Sequence, residues 1–251
     1  MDNTKRFSDR VDNYKKYRPD YPIDVIKVLK DRCGLNKNSV IADIGSGTGI
    51  FSALLLPYVG MVYAVEPNAE MRKSAESALL SYGNFSSRDA SAEDTGLKSQ
   101  SVDIVTAATA FHWFNKEKTK KEFSRILKKD KWVVLIWNER YKHGSDFSIA
   151  YEAIFNNHIP EYAAKHYKNV SALFIDEWYG PGKSELISFR NHKKLNWDGL
   201  LGRFLSSSYA PLENQPHYTK VIDELKQTYE RFAHNDTVVF EYTTRLYVGK
   251  I

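Results

Sequence analysis

A glycine-rich turn is the part of the sequence whose residue types and spacing point most directly to chemistry. It reads Asp43-Ile44-Gly45-Ser46-Gly47-Thr48-Gly49. Glycines let the backbone turn tightly and approach a ligand without a Cβ in the way, and a helix that begins after such a turn offers unpaired N–H groups. Asp43, just before the glycines, would repel a phosphate and attract an ammonium group. The pattern therefore favours a ligand that presents an amine at this turn.

The same turn departs from two common nucleotide-binding patterns. The third glycine of the dinucleotide fingerprint G-x-G-x-x-G falls on Ile50, and this bulky side chain would obstruct the close approach of a pyrophosphate. The Gly-Lys-Ser/Thr of a P-loop is also missing from this turn. A nicotinamide enzyme is therefore disfavoured.

A second acidic residue, Glu66, follows at the end of the next apolar run, in the sequence Glu66-Pro67-Asn68. A carboxylate about 20 residues past a glycine-rich turn can accept hydrogen bonds from both ribose hydroxyls of a nucleoside. The alternative is a loop carboxylate that faces water. The turn that precedes Glu66 favours the ribose.

Short apolar runs alternate with helical patterns around these residues. The strand-like runs are Val40–Ile44, Met61–Val65, Val102–Ala107 and Trp132–Trp137. Helices are predicted over Pro22–Cys33, Phe51–Leu56, Ala69–Leu80 and a lysine-rich segment, Lys116–Lys131. Apolar strands that alternate with helices are typical of a parallel sheet covered on both faces. Ligands bind beyond the carboxyl ends of such strands, which is where the glycine-rich turn and Glu66 lie.

The alternation breaks down in the C-terminal half of the chain. Aromatic-rich helical stretches are predicted near Ser148–Tyr167, Trp197–Leu205 and Tyr218–Phe232, and strands over Ser184–Phe189 and Thr237–Val248. Without internal repeats or low-complexity linkers, we expect a single domain over residues 1–251. Its expected parts are an N-terminal lid and helix (1–35), a cofactor-binding core (36–140), a substrate-side helical insert (141–235) and a final strand (236–251).

Composition narrows the function classes. The 251 residues include one cysteine, Cys33, which excludes an internal disulfide. No apolar run is long enough for a membrane helix and the N-terminus is polar, so we expect a cytoplasmic protein with no membrane partner. The formal net charge of +5 keeps nucleic-acid binding through a Lys116–Lys131 helix face as a minor alternative. No metal is expected, because no His/carboxylate cluster has the spacing of metal ligands.

Several motifs resemble those of one enzyme family. Asp43–Gly49 and Glu66 are similar to the first motif and the ribose-binding acid of the class I S-adenosylmethionine-dependent methyltransferases, and Ala90–Leu97 resembles their adenine loop. Within the family, the similarity is to the small-molecule (type 11) branch that includes trans-aconitate methyltransferase. The matching segments are Tyr14–Pro22, Phe111–Phe114 and Trp137–Arg140. The resemblance implies a Rossmann-like, doubly wound α/β fold, with a mostly parallel seven-stranded sheet, helices on both faces and a helical C-terminal insert.

The resemblance also implies S-adenosyl-L-methionine as the cofactor and S-adenosyl-L-homocysteine as its product. Tyr14 and Arg18 would fold over the cofactor as a lid, with Arg18 clamping the methionine carboxylate. The methionine would lie along Gly45 and Gly47, with its ammonium group near Asp43. The other cofactor-binding residues that the resemblance implies are Glu66, Pro67, Met71, Ser91, Ala92, Ala108 and Phe111.

The methyl acceptor is left open by the sequence. Trp113, Trp137, Arg140 and Arg203 are predicted to contact it, with core packing beneath the loop as the alternative for Trp113. The resemblance and the arginines favour a carboxylic acid. An acid is already ionised and needs no base. For a hydroxyl or amine acceptor, His112 is the candidate catalytic residue for proton transfer, the alternative being a structural histidine. An RNA or protein methyltransferase and a non-catalytic cofactor-binding scaffold are the competing functions, and the expected assembly is a monomer or homodimer.

Overall fold

The structure is a computed structural model that describes residues 16–141, 144–159, 162, 171–207, 209–215 and 217–251. Tyr14, one of the two predicted lid residues, lies outside the described residues. Among the helices that the structure describes, none combines the length and the apolar character that a membrane crossing needs.

The core of the fold is one sheet of seven strands. Their bounds are β1 Val40–Ile44, β2 Met61–Val65, β3 Phe85–Arg88, β4 Val102–Ala108, β5 Leu127–Arg140, β6 Ser184–Leu195 and β7 Val238–Gly249. The order across the sheet is β3-β2-β1-β4-β5-β7-β6. Strands β1 to β5 pair in parallel, and β7 is antiparallel to both of its neighbours. This confirms the predicted doubly wound, mostly parallel α/β fold, whose strand order changes direction between β1 and β4.

Helices connect and flank these strands. Their bounds are α1 Asp24–Cys33, α2 Ile50–Leu55, α3 Ala69–Leu79, α4 Lys116–Ile126, α5 Asp146–His158, α6 Ala172–Tyr179, α7 Trp197–Leu205 and α8 Tyr218–Phe232. Local sequence fixes several ends. The side chains of Asn68 and Asn115 accept hydrogen bonds from the first turns of α3 and α4, as N-cap residues do. Gly34 ends α1 in the left-handed conformation, with φ 70°.

Three apolar clusters hold the layers together. On one face of the sheet, Leu29 of α1 and Phe51 of α2 pack in one buried cluster. On the other face, Phe123 of α4 lies in a second cluster. The third cluster joins α5, α7 and α8 to the first residues of β7, including Tyr242. Because Tyr242 pairs with Arg140 at the carboxyl end of β5, this third cluster lies on the side of the sheet where ligands bind.

The predicted lysine-rich helix is too long. Helix α4 ends at Ile126, and Leu127 already pairs with Val102 as the first residue of β5. Asp130, with φ 57°, has a left-handed conformation that a helix cannot contain. The mixed charges at helical spacing continue past the end of α4, so the charge pattern alone did not predict where β5 begins.

The structure also differs from the sequence-based prediction at one edge of the sheet and in the C-terminal half. Strand β3 was not predicted, because Phe85–Arg88 is a half-buried edge segment with one large apolar residue. The predicted helix Ser148–Tyr167 corresponds to α5, which ends at His158; residues 160, 161 and 163–170 lie outside the described residues. Strand β6 continues past the predicted end to Leu195.

Candidate functional site

A cavity of about 720 Å³ opens beyond the carboxyl ends of the parallel strands, within the range of small-molecule sites. The predicted cofactor-binding residues that line it come from different parts of the core. They are Arg18, Gly45, Gly47, Glu66, Pro67, Met71, Ser91, Ala92 and Ala108. The predicted catalytic and acceptor residues line the same cavity. They are His112, Trp113, Trp137, Arg140 and Arg203. The structure thus brings both predicted groups together.

The glycine-rich turn forms one wall of the cavity, and its backbone has a left-handed conformation that residues with a side chain rarely adopt. Gly45, Gly47 and Gly49 have φ angles of 67°, 58° and 82°, in the left-handed region where glycine carries no steric penalty. A Cβ on Gly45 would lie 2.5 Å from the Cβ of Ala110. The amide of Gly45 donates to the Val65 carbonyl at 2.8 Å, which ties the turn to the end of β2.

Glu66 is buried beside this turn and holds it by its backbone. Its two carboxylate oxygens accept hydrogen bonds from the amides of Gly47 at 2.9 Å and Asn68 at 2.8 Å. Burial raises the pKa of Glu66, and these amides oppose that shift. A carboxylate has about four acceptor positions, so Glu66 keeps capacity for further donors from the cavity, such as ribose hydroxyls.

Two hydroxyl groups of the turn are buried without a protein partner. Within the described ranges, neither Ser46 Oγ nor Thr48 Oγ1 has a hydrogen-bond partner, and both residues line the cavity. Buried polar groups are rarely left unsatisfied in native proteins. The turn therefore fits a polar ligand such as S-adenosylmethionine. Sequence reasoning missed these residues, although they are the variable positions within the G-x-G-x-G pattern.

Asp43 differs from its predicted position. Its side chain is fully buried and does not line the cavity. Instead, its carboxylate accepts hydrogen bonds from Ser52 Oγ at 2.7 Å and Thr106 Oγ1 at 3.0 Å. Burial raises the pKa of Asp43 to about 6, against the lowering effect of both hydroxyls. These two bonds join β1 to α2 and β4, and the Asp43 carboxylate is not among the groups that line the cavity, where an ammonium group was expected.

Phe111 also lies behind the cavity wall. It is fully buried, and its ring packs edge-on against Trp137, with 6.3 Å between centroids. The Nζ of Lys116 donates to the carbonyls of Phe111 and Phe114, both at 2.7 Å. These two bonds fix the loop that carries His112 to the cavity, where its ring lies 4.8 Å from that of Trp113.

Arg140 lies at the acceptor side among aromatic rings. Its guanidinium group forms an ion pair with Glu152 at 3.0 Å and a hydrogen bond with the Tyr162 hydroxyl. It lies 5.3 Å and 4.9 Å from the ring centroids of Tyr151 and Phe155, within the range of cation–π contacts. Sequence reasoning missed these aromatic residues; the i, i+4 spacing of Tyr151 and Phe155 was the available signal for a shared helix face.

Arg203 reaches the cavity from helix α7. Its side chain is buried, and its Nε donates to the Tyr242 hydroxyl at 3.0 Å. Its guanidinium also lies 5.6 Å from the ring centroid of Phe240. A buried guanidinium needs several acceptors because it has five donors. Arg203 is therefore held in place while it lines the same cavity as Arg140.

The segment before α1 lies across the strand ends as a strap, defined here as residues 16–21. Arg18 donates to the Ser206 carbonyl at 3.0 Å, and its own carbonyl accepts from Lys193 Nζ at 3.1 Å. The hydroxyls of Tyr21 and Thr109 lie 2.9 Å apart. Thr109 has φ 56°, a strained conformation for a β-branched residue. These contacts bring Arg18 and Tyr21 to the cavity wall.

Gly202→Ala is expected to displace this strap without damaging the fold. A Cβ on Gly202 would lie 2.1 Å from the ring of Tyr17, so Tyr17 must move and Arg18 with it. The affinity for S-adenosylhomocysteine should fall about tenfold, as for one lost charge-assisted hydrogen bond. The thermal midpoint should fall only slightly, because the higher helix propensity of alanine offsets part of the cost of moving Tyr17.

A double variant provides the control for this prediction. Tyr17→Ala combined with Gly202→Ala removes the clash and should recover part of the affinity in calorimetric titration. Equal affinity of Gly202→Ala and the wild type would show that the strap does not contribute to the site.

The ranges that the structure describes contain no group of three or more His, Cys, Asp or Glu side chains arranged to hold a metal ion.

Comparison with known proteins agrees with this site. Residues 42–135 match the protein family described as "Methyltransferase domain". An uncharacterized methyltransferase-like protein of Schizosaccharomyces pombe is 26% identical over 250 residues, covering 96% of this chain and 93% of that protein. A second methyltransferase of that organism is 26% identical, covering 97% of this chain and 96% of its own length.

A solved structure agrees as well. A candidate type II methyltransferase of Anaeromyxobacter dehalogenans has the same fold, with a TM-score of 0.68 at 18% identity over 93% of this chain and 98% of that one. Its likeness concerns the fold, whereas the sequence relatives and the family match concern the activity. The family match over residues 42–135 and the sequence relatives therefore support a class I S-adenosylmethionine-dependent methyltransferase.

Proposed function

We propose that this methyltransferase acts on a small molecule, and that the acceptor is a carboxylic acid. The observation that carries the proposal is the presence of Arg140 and Arg203 in the same cavity as the glycine-rich turn and Glu66. Arginine is the residue best suited to bind a carboxylate, because its planar donors match the two oxygens. The resemblance to the small-molecule branch of the family supports the same acceptor class.

Different residues of the cavity would bind the cofactor and surround the reacting groups. The turn and Glu66 would hold S-adenosylmethionine, which when bound supplies a methyl group on a positively charged sulfur. Trp113, Phe114 and Trp137 line the same cavity, where aromatic rings exclude water and tolerate positive charge. The chain must chiefly align an acceptor oxygen with the methyl carbon for in-line displacement.

Two of the four lysines of α4 bind carbonyl groups of the protein itself, which favours a small acceptor over a nucleic acid. Lys116 Nζ donates to two carbonyls of the loop before α4, and Lys120 Nζ donates to the Trp178 carbonyl. Both ammonium groups are thus used to join parts of the protein. A helix face that binds phosphates needs its lysines directed to the nucleic acid.

His112→Ala is expected to lower the turnover of an acid acceptor about tenfold, a smaller loss than the roughly 10²–10⁴-fold that general acid–base catalysis contributes. The affinity for S-adenosylhomocysteine should not change. A carboxylate has no proton to lose, so His112 serves to shape and polarise the cavity. Steady-state kinetics with His192→Ala, an exposed histidine on β6, as the control test this. A larger loss that varies with pH would instead give His112 a proton-transfer role.

An acceptor screen tests the proposed function. The protein is incubated with S-adenosylmethionine and with carboxylic acids, phenols, amines or RNA, and the formation of S-adenosylhomocysteine is measured. We expect turnover with at least one acid and none with its neutral amide. Turnover confined to phenols or amines would contradict the acid, and turnover with RNA would contradict the small-molecule acceptor.

A further inference from the structure

Tyr151 lies in the wall of the acceptor side of the cavity, and its ring contacts Arg140. It belongs to helix α5, lines the cavity, and is 2% exposed. Its hydroxyl has no hydrogen-bond partner in the part of the chain that the structure describes. The nearby buried hydroxyl of Tyr242, by contrast, accepts a hydrogen bond from Arg203. A buried hydroxyl without an acceptor is costly unless a ligand supplies one.

The charges around this hydroxyl indicate which ligand atom fits. The Arg140 guanidinium lies 5.3 Å from the Tyr151 ring centroid. Burial raises the pKa of Tyr151, and the positive charges of Arg203, Arg140 and Arg18 oppose that shift, so all three lie close enough to act on the hydroxyl. Guanidinium groups only donate hydrogen bonds. None of these three neighbours can therefore accept the proton of the Tyr151 hydroxyl. The Glu152 carboxylate, paired with Arg140 at 3.0 Å, offsets only one of the three positive charges, so the surroundings favour an anion.

We propose that the Tyr151 hydroxyl donates a hydrogen bond to an anionic oxygen of the methyl acceptor, beside Arg140 and Arg203, and thereby selects acids over neutral analogues. This inference rests on the proposed function, because it assumes an acidic acceptor. A site that hydrogen-bonds a substrate oxygen discriminates strongly against analogues that leave its polar groups unpaired. Tyr151 is thus a specificity-determining residue.

The first test measures the stability of the full chain without ligand. Tyr151→Phe should leave the thermal midpoint unchanged or raise it, because the variant removes a hydroxyl that has no hydrogen-bond partner among the described residues. The matched control is Tyr179→Phe, since the Tyr179 hydroxyl lies 3.0 Å from the carbonyls of both Val133 and Tyr247. That control should lower the midpoint. A similar fall in Tyr151→Phe would show a structural role for its hydroxyl and overturn the inference.

The second test measures binding by calorimetry in the presence of saturating S-adenosylhomocysteine. The probes are succinate, citrate and trans-aconitate, each with its neutral amide. Tyr151→Phe should weaken the binding of an acid at least about tenfold, the loss expected for one hydrogen bond to a charged group. Its affinity for S-adenosylhomocysteine should not change, and Tyr179→Phe should retain both affinities.

The outcomes separate this inference from the proposed function. Equal acid affinity of Tyr151→Phe and the wild type would overturn the inference and leave the acid acceptor standing. A wild type that binds S-adenosylhomocysteine but none of the acids would overturn both the acidic acceptor and the role of Tyr151. Weaker binding of S-adenosylhomocysteine by Tyr151→Phe would assign the hydroxyl to the cofactor instead.

Discussion

Glu66→Ala is expected to weaken the binding of S-adenosylhomocysteine about 10²-fold, which corresponds to roughly two hydrogen bonds to a charged group. The substitution removes the proposed acceptor for the ribose hydroxyls. It also leaves the Gly47 and Asn68 amides, which donate to Glu66 at 2.9 Å and 2.8 Å, without their acceptor. Because Gly47 belongs to the glycine-rich turn, the wall on which the cofactor would lie loses its support at the same time.

Two further variants separate these contributions. Glu66→Gln keeps the size of the side chain but replaces one acceptor oxygen with a donor, so it should bind with intermediate affinity. Glu70→Ala, an exposed acid in the first turn of α3, should bind like the wild type. An affinity of Glu66→Ala within threefold of the wild type, roughly 0.7 kcal/mol, would remove Glu66 from the cofactor site.

Asp43→Asn is expected to change how stability depends on pH. The native pKa of Asp43 is about 6 against an ordinary value of 3.8, so the folded protein binds this proton more tightly than the unfolded chain. The free energy of unfolding should therefore fall as pH rises from about 4 to about 6, by up to about 3 kcal/mol. Asparagine lacks this titration. Its amide can also bond the hydroxyls of Ser52 and Thr106, because hydroxyls both donate and accept.

Urea unfolding between pH 4 and pH 8 measures this difference. The free energy of unfolding of Asp43→Asn relative to the wild type should rise between pH 4 and pH 6 and stay constant above pH 6. The control is Asp89→Asn, a carboxylate that is 70% exposed. A relative free energy that does not vary with pH would show that Asp43 titrates in the folded protein as in the unfolded chain.

The parts of the site that sequence reasoning located depend on local chemistry. Gly45 and Gly47 occur where the backbone needs left-handed angles, and Glu66 follows directly on a strand that pairs with β1. The orientation of the Asp43 side chain could also have been predicted from the sequence. Side chains alternate along a strand, so Asp43 shares the face of Ile41, which packs against α1 and α2. Its carboxylate consequently points away from the cavity.

The acceptor side of the cavity depends on long-range packing, so the sequence predicted less of it. Tyr151 and Phe155 come from α5, and they meet Arg203 of α7 only because both helices pack in the third apolar cluster with β7. Which face of α5 turns to the cavity depends on that packing, and residues far apart in the chain determine it. The arginines were predicted through resemblance alone, and the aromatic residues around them were not predicted.

Calorimetric titration with S-adenosylhomocysteine tests most directly whether the cavity beside the glycine-rich turn binds the cofactor. We expect one saturable site per chain, competition by S-adenosylmethionine, and binding about 10²-fold weaker in Glu66→Ala. Absence of binding by the folded wild type, or binding that Glu66→Ala leaves unchanged, would contradict it.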